Sequence, residues 1–402
     1  MSPTKARPPA VRLDPARVRA WRVERQLLGR SKAASPVEVA SRLVGVQAQV
    51  STSAALSIAL RSGRARSSPA PVAATSRALL ERHLVRSWAM RSTLHLLAAD
   101  DVPTVAAALG GKERWRRPKW LRWFGVTEPE MERLIDTIGE ILDDGRPRTR
   151  AELAEAVGAR LGPGTGRLLL GSWGAALKVA SDRHFLVQSA EDDAGVRFVK
   201  ASRWLGSWRV EDEHEALASL VERYLAAYGP ATLGDLLRWW GLSVVAVMKP
   251  VMASLGGRLT EVEVDGVRAY VRAEDVDAIE GTRSRRGRVV LVGGFDPLIV
   301  GAGLREQLIP AAHLKRVSRT AGWISPVVLL DGVAAGVWDA VRTGSSVAIT
   351  VDTFEDATPE LRSSIAGAAE RVGLAQSVPV AVRYGRVFEG KGPPLTIGPE
   401  DA

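Results

Sequence analysis

One local pattern occurs three times in this chain and limits what it can fold into. A Ser or Thr is followed three residues later by an acid and then by an apolar helical run. The copies are Ser35-Pro36-Val37-Glu38 before VASRLVGV, Thr149-Arg150-Ala151-Glu152 before LAEAV, and Thr232-Leu233-Gly234-Asp235 before LLRWW. In such a box the hydroxyl accepts from the N–H three residues on, while the acid reaches back to the cap N–H. Pro36 at the first helical position adds to the first copy, and Asp235 is a shorter version of the same device. Each box follows a helix-like segment (ARVRAWRVERQLLG, EMERLIDTIGEILDDG, HEALASLVERYLAAYG) and precedes another (SAALSIALRSG, GRLLLGSWGAALKVA, SVVAVMKPVMASLGG). The second and third sets continue into strand-rich stretches, RHFLVQSAEDDAGVRFVK and RLTEVEVDGVRAYV, the latter turning at Asp265-Gly266. Helix, capped helix, helix, hairpin is the order of a winged helix-turn-helix. Three capped copies rarely arise by coincidence.

From about residue 285 the texture changes. RVVLVGGFDPLIVG, SPVVLLDGVAAGVWDA, SSVAITVDTF and PVAVRYGRVFEG are short strands divided by Gly, Asp and Pro, with one helix at about 357 to 373. Such strands suggest a small barrel or sandwich. The expected fold is therefore α+β: winged helices over 12–130, 131–210 and 211–280, then a β-barrel-like domain over 285–392, with GTRSRRGR as the linker into it.

The chain has 402 residues and a net charge of +10, which favours a polyanionic partner, nucleic acid above all. It has no cysteine, which removes thiolate catalysis and cysteine-ligated metals. Its five His residues show no HxxxH or HxH spacing, so neither a metal nor a cofactor is expected. No apolar run approaches the ~18 residues of a membrane span, and no secretory signal is evident. The expectation is a cytoplasmic, nucleoid-associated protein without membrane contact.

Two glutamines stand out in LVGVQAQVSTSAALSIALRS. Gln47 and Gln49 lie where the first capped helix gives way to the next, for which Ser51 or Ser53 is a candidate cap. On a helix, residues i and i+2 point ~200° apart, so one shared site needs an extended or turn backbone there. Otherwise both amides simply cap helix ends or bond to a neighbouring loop. LVRSWAMRSTLHLLAADD carries Arg86, Trp88, Arg91, Thr93 and His95. Its alternation reads as the first wing, with Arg91, Thr93 and His95 on one DNA-facing side, although His95 can equally be structural. GGKERWRRPKWLRWFG interleaves cations with aromatic residues, so Lys112, Arg114, Arg116 and Arg117 are phosphate candidates while the tryptophans pack inward. Arg148 and Arg150 flank a helix N-terminus, a favourable place for phosphate, though Arg150 can also be a solvated surface residue. Asp296, in Phe-Asp-Pro, reads as a turn cap and not as a catalytic acid.

VGVQAQVS, LVRSWAMRSTLHLLAADD, FDPLIVGAGLREQL and SPVVLLDGVAAGVWDA together resemble the AlkZ and YcaQ family of bacterial DNA glycosylases, over roughly residues 12 to 390. The resemblance implies three tandem winged helices around a C-terminal β-barrel, with a concave basic surface for duplex DNA. It also implies excision of alkylated bases, bulky adducts and crosslinks, in repair or in self-resistance to a genotoxic natural product. The family's motif of glutamine, apolar residue, then glutamine or aspartate maps onto Gln47, Ala48 and Gln49, as in the AlkZ branch. After FDP, LIVGAGLRE replaces the aromatic, charged stretch of many relatives.

Alkylation at guanine N7 or adenine N3 makes the base cationic, so it leaves without a strong acid. The enzyme then has to orient a water toward the developing oxocarbenium sugar, which an amide can do. A neutral base would demand a carboxylate, and none is evident beside the pair. Double-stranded DNA carrying cationic alkylated bases is thus the expected partner. Three unlike units and no heptad seam point to a monomer. The alternative is a non-enzymatic winged-helix regulator or lesion binder.

Overall fold

The computed structural model describes residues 11–63, 71–110, 114–116, 118–171, 175–189, 195–209, 211–241, 245–284 and 286–387. All three caps form at the expected places, the second and third as reciprocal boxes. Ser35 Oγ accepts from Glu38 N–H at 3.1 Å and starts helix Pro36–Arg42, while Glu38 reaches one residue further back than expected, to the Ala34 N–H at 2.7 Å. Thr149 and Glu152 exchange bonds of 3.2 and 2.7 Å at the start of helix Arg150–Leu161. Thr232 and Asp235 do the same at 3.1 and 2.9 Å before helix Leu233–Trp240. Despite its short side chain, Asp235 does more than cap. It is buried, pairs with Arg238 at 2.8 Å and accepts the Leu304 N–H at 3.0 Å. Truncating the exposed box, Thr149→Ala, is expected to cost about 1 kcal/mol, read as a lower urea midpoint at unchanged slope.

Each box-capped helix is followed by a further helix (Ser51–Ala59, Ala175–His184 and Val245–Leu255) and by an antiparallel hairpin. In chain order the strands are β1 (Val11–Leu13), β2 (Val46–Gln47), β3 (Leu84–Trp88), β4 (Leu94–Ala98), β5 (Arg148–Thr149), β6 (Leu186–Gln188) and β7 (Arg197–Lys200). The third hairpin is β8 (Leu259–Val264) with β9 (Val267–Arg272), turning at Asp265 (φ 51°) and Gly266 (φ 76°).

The units are not beads on a string. Antiparallel pairing of β3 with β6 fuses the first two hairpins into one six-stranded sheet, ordered β2-β4-β3-β6-β7-β5. β1 adds in parallel to β8, so the chain's first described strand completes the third hairpin. One core joins Leu27, Val39, Leu43 and Ile58 to Tyr224, Trp239, Trp240 and Met248 of the third unit. Trp115 is buried in the second unit's core with Met131 and Ile138, as expected of an inward-packing tryptophan, whereas Trp123 stays 57% exposed.

The C-terminal strands are β10 (Val289–Val292), β11 (Val327–Leu330), β12 (Val333–Thr343), β13 (Ser346–Thr353) and β14 (Val380–Tyr384). They form a five-stranded sheet in sequential order, and the expected closed barrel is not found. Among the described residues no ladder joins β10 to β14. The physical reason lies in what covers the sheet. Between β13 and β14 the chain makes helix Pro359–Gln376, whose Ile365, Ala368, Ala369 and Val372 pack with Val289, Leu291 and Ile349. Leu56 and Ala59 of the first unit share that core, while Val23 and Leu28 pack with Val290, Val292, Leu298 and Ile299 in another. The sheet's apolar side chains are buried by these helices, so it need not curl round to bury itself.

Candidate active site

The glutamine segment is set up by two consecutive residues in the left-handed region, Val44 (φ 54°) and Gly45 (φ 93°), which turn the chain out of helix Pro36–Arg42. Gly45's left-handed φ favours glycine, and a Cβ there would also come within 2.8 Å of Leu97 Cδ2. β2 then pairs with β4, with Gln47 opposite His95. The Ala48 N–H donates to Leu94 O at 2.7 Å, and Gln49 Oε1 accepts the Leu94 N–H at 3.4 Å, ending the ladder with a side chain. The extended course expected of this segment is therefore present. Helix Ser51–Ala59 begins immediately afterwards, but its N-cap is Val50, without a side-chain bond, and neither Ser51 nor Ser53.

Burial divides the pair. Gln47 is only 8% exposed, whereas Gln49 lies on the surface. Gln47 Oε1 accepts from Arg91 Nη2 at 3.0 Å, and Arg91 Nη1 donates to Trp239 O, in the third unit, at 2.8 Å. His95 Nε2 lies 3.4 Å from the same Arg91 Nη2, and His95 Nδ1 lies 2.8 Å from Thr93 O. Burial pushes the Arg91 pKa down to about 10, leaving it charged at neutral pH.

The expectation of one alternating DNA-facing side for Arg91, Thr93 and His95 is corrected here. Arg91 sits in the tight turn Met90–Ser92, at φ 56°, and its side chain runs inward to Gln47. Thr93 closes that turn by donating to Met90 O at 3.2 Å, and His95 is buried in β4. Arg91 and His95 do meet at the glutamine, as its supports.

Gln49 opens onto a hollow of about 800 Å³ between the first hairpin and the second unit's box-capped helix. Its walls carry Ser51, Arg86, Arg150, Lys178 and Gln188, over a floor that includes Trp88 and Phe198, stacked with centroids 5.6 Å apart. Among the described residues that line it none is acidic. Arg150, singled out from its place beside the cap, therefore faces the same space as Gln49. Lys178 and Gln188 were not singled out. A single cation inside the apolar run GAALKVA is the one signal that marks Lys178.

Of the remaining cation candidates, Arg148 and Arg116 do not line this hollow. Arg148 is held by Asp144 at 2.6 and 2.7 Å and donates to Ile141 O at 3.0 Å, and it keeps the Asp144 carboxyl well below the usual range. Arg116 pairs with Glu128 and Glu132 and lies 4.4 Å over the Trp115 ring. Lys112 and Arg117 lie outside the described residues, and of Arg114 only the backbone, in the turn Arg114–Arg116, is described. Asp296 is the turn cap it was read to be, accepting the Leu298 N–H at 3.0 Å. It is also fully buried against Arg61, with bonds of 2.7 and 2.8 Å. Among the described residues no three of His, Asp or Glu stand close enough to hold a metal, and no single helix is long and apolar enough to cross a membrane.

The sequence model of the family described as DNA glycosylase AlkZ-like matches residues 40–374. Over 373 residues the chain is 34% identical to the interstrand DNA cross-link repair glycosylase of Streptomyces sahachiroi, covering 90% of this chain and 97% of that protein. The solved structure of Streptomyces sahachiroi DNA glycosylase AlkZ matches it with a TM-score of 0.84 at 31% identity, covering 93% of this chain and all of that one. The α+β fold and these relatives define a DNA glycosylase, a hydrolase of N-glycosyl bonds, and the purely regulatory alternative falls away. Within that class the chain belongs to the AlkZ-like family.

Proposed function

We propose that this glycosylase releases cationic, alkylated bases from duplex DNA, including bulky adducts and interstrand crosslinks, with Gln47 and Gln49 as its catalytic pair. The observation that carries the reading is the placement of Gln49 at the lip of a basic hollow whose described lining holds no acid, with Gln47 two residues back at the end of β2. A base that already carries positive charge is a good leaving group, so an amide that orients water suffices. A neutral base needs a carboxylic acid to protonate it as it leaves, and the described lining of the hollow holds no carboxyl group. In this reading the three helix–helix–hairpin units act as winged helices that hold one duplex, and the protein works as a monomer, in the cytoplasm at the nucleoid. Its relative's role in crosslink repair supports a use in repair or in self-resistance to a DNA-damaging natural product. The test is incubation with duplex containing N7-methylguanine, then hot alkali. Strand scission at the modified position, and none at uracil in the same context, is the expected result. Equal excision of both would sink the charge argument.

Arg150 supplies phosphate contact in this reading. Arg150→Ala is expected to weaken binding to damaged and undamaged duplex alike and to reduce the slope of log K against log salt by about 1. Fluorescence anisotropy across a salt series checks this. An unchanged slope would remove Arg150 from the interface.

A further inference from the structure

We propose that Arg91 is a positioning residue that fixes which end of the Gln47 amide faces DNA, so that the two glutamines do different work: Gln47 donates and Gln49 accepts. This rests on the reading of the pair as catalytic and adds an assignment within it. Gln47 Oε1 is occupied by Arg91 Nη2 at 3.0 Å. Turning the amide over would set its N–H₂ against a guanidinium N–H, donor against donor, so the orientation shown is the one the charge enforces. The described residues claim no bond from Gln47 Nε2, which leaves N–H₂ as the group it can offer.

Arg91 cannot readily move aside. Its other nitrogen donates to Trp239 O at 2.8 Å. Its backbone lies in the left-handed region, as does that of Ser92 (φ 53°). Gly241, the αL cap of helix Leu233–Trp240, packs so closely that a Cβ there would fall 2.6 Å from Arg91 Cα. His95 completes the grip. Its Nδ1 faces the Thr93 carbonyl at 2.8 Å and so carries the proton, which turns the lone pair of Nε2 toward Arg91. Gln47 therefore presents two N–H donors of fixed direction, suited to a phosphate or deoxyribose oxygen beside the lesion. Gln49 differs. It is exposed, and its oxygen makes one long bond of 3.4 Å to Leu94 N–H. A second lone pair stays available to hold the attacking water.

The experiment measures single-turnover excision of N7-methylguanine from duplex DNA by Gln47→Ala, Arg91→Ala, their double variant, Arg91→Lys, Gln47→Glu and Gln49→Glu. Melting and binding to undamaged duplex are followed alongside. Arg91→Ala is expected to slow excision by ~10-fold or more, the scale of a lost orienting contact, with binding within about twofold. Added to Gln47→Ala, it should bring no further loss, because it acts through that residue. Arg91→Lys should restore part of the rate. Gln49→Glu, which keeps an acceptor, should lose less rate than Gln47→Glu, which replaces donors by a carboxylate and should fall to the level of Gln47→Ala. The glutamate comparison leaves Arg91 untouched, so it decides the matter even if Arg91→Ala folds poorly. Multiplying losses in the double variant, a full-rate Arg91→Ala, or a Gln47→Glu as active as Gln49→Glu would overturn the assignment. If Gln47→Ala and Gln49→Ala both kept the parent rate, the reading of the pair itself would fall, and the orientation with it.

Discussion

Gln47→Ala and Gln49→Ala should each lower single-turnover release of N7-methylguanine by ~10²-fold, and they should differ in stability while agreeing in activity. The rate figure follows from what an orienting group contributes: several kcal/mol of barrier at most, where each 1.4 kcal/mol is tenfold. The stability contrast follows from burial. Gln47→Ala strips Arg91 of a partner in a nearly closed site, and an unsatisfied polar group there costs about 1–3 kcal/mol. Gln49 sits on the surface with one long bond, so its removal should stay within about 0.5 kcal/mol. A single-turnover assay and a melting curve on each variant check both halves. Full activity in either variant, with the fold intact, would remove that residue from the catalytic pair.

The second large effect concerns the seam between the first unit and the C-terminal sheet. Arg61 and Asp296 form a two-pronged ion pair with both side chains fully buried, and Ser57 Oγ adds a bond to the carboxylate at 3.3 Å. Arg61→Ala or Asp296→Ala leaves a charge buried without its partner and should destabilise by about 3–5 kcal/mol. Replacing both with apolar residues of similar volume, as in Arg61→Met with Asp296→Leu, should recover much of that loss, because the desolvation cost of the charges goes with them. The solvent-exposed pair Arg12–Glu263 gives the contrast. Its arginine side chain is 84% exposed, and breaking it should change stability by under about 1 kcal/mol. Urea unfolding of these variants distinguishes the cases. A loss below 1 kcal/mol in Arg61→Ala would mean the pair is solvated in solution.

What the sequence disclosed and what it withheld divide along the range of the interactions. The three boxes were readable because a cap involves residues three apart, and the Asp265-Gly266 turn because its requirement is equally local. Even so, Asp235 gave no sign of its bond to Leu304, which lies far along the chain. The inward course of Arg91 was hidden for the same reason. Nothing near it in sequence announces that a carbonyl at residue 239 and an amide at residue 47 will meet its two nitrogens. The strands after residue 285 were legible from their composition, but whether they close was decided by helix Pro359–Gln376 and by Leu56 and Ala59 from the first unit. The position of the glutamines was legible, while their unequal burial was a tertiary outcome.

The ladder between β3 and β6 has a mechanical consequence. Gln49 and Arg150 stand on opposite banks of a cleft whose bed is continuous hydrogen-bonded sheet, so neither bank can swing like a jaw. If this cleft receives duplex DNA as proposed, the duplex itself has to bend or splay to bring a damaged nucleotide within reach. Lesions that soften the double helix thereby gain an advantage before any bond is cut.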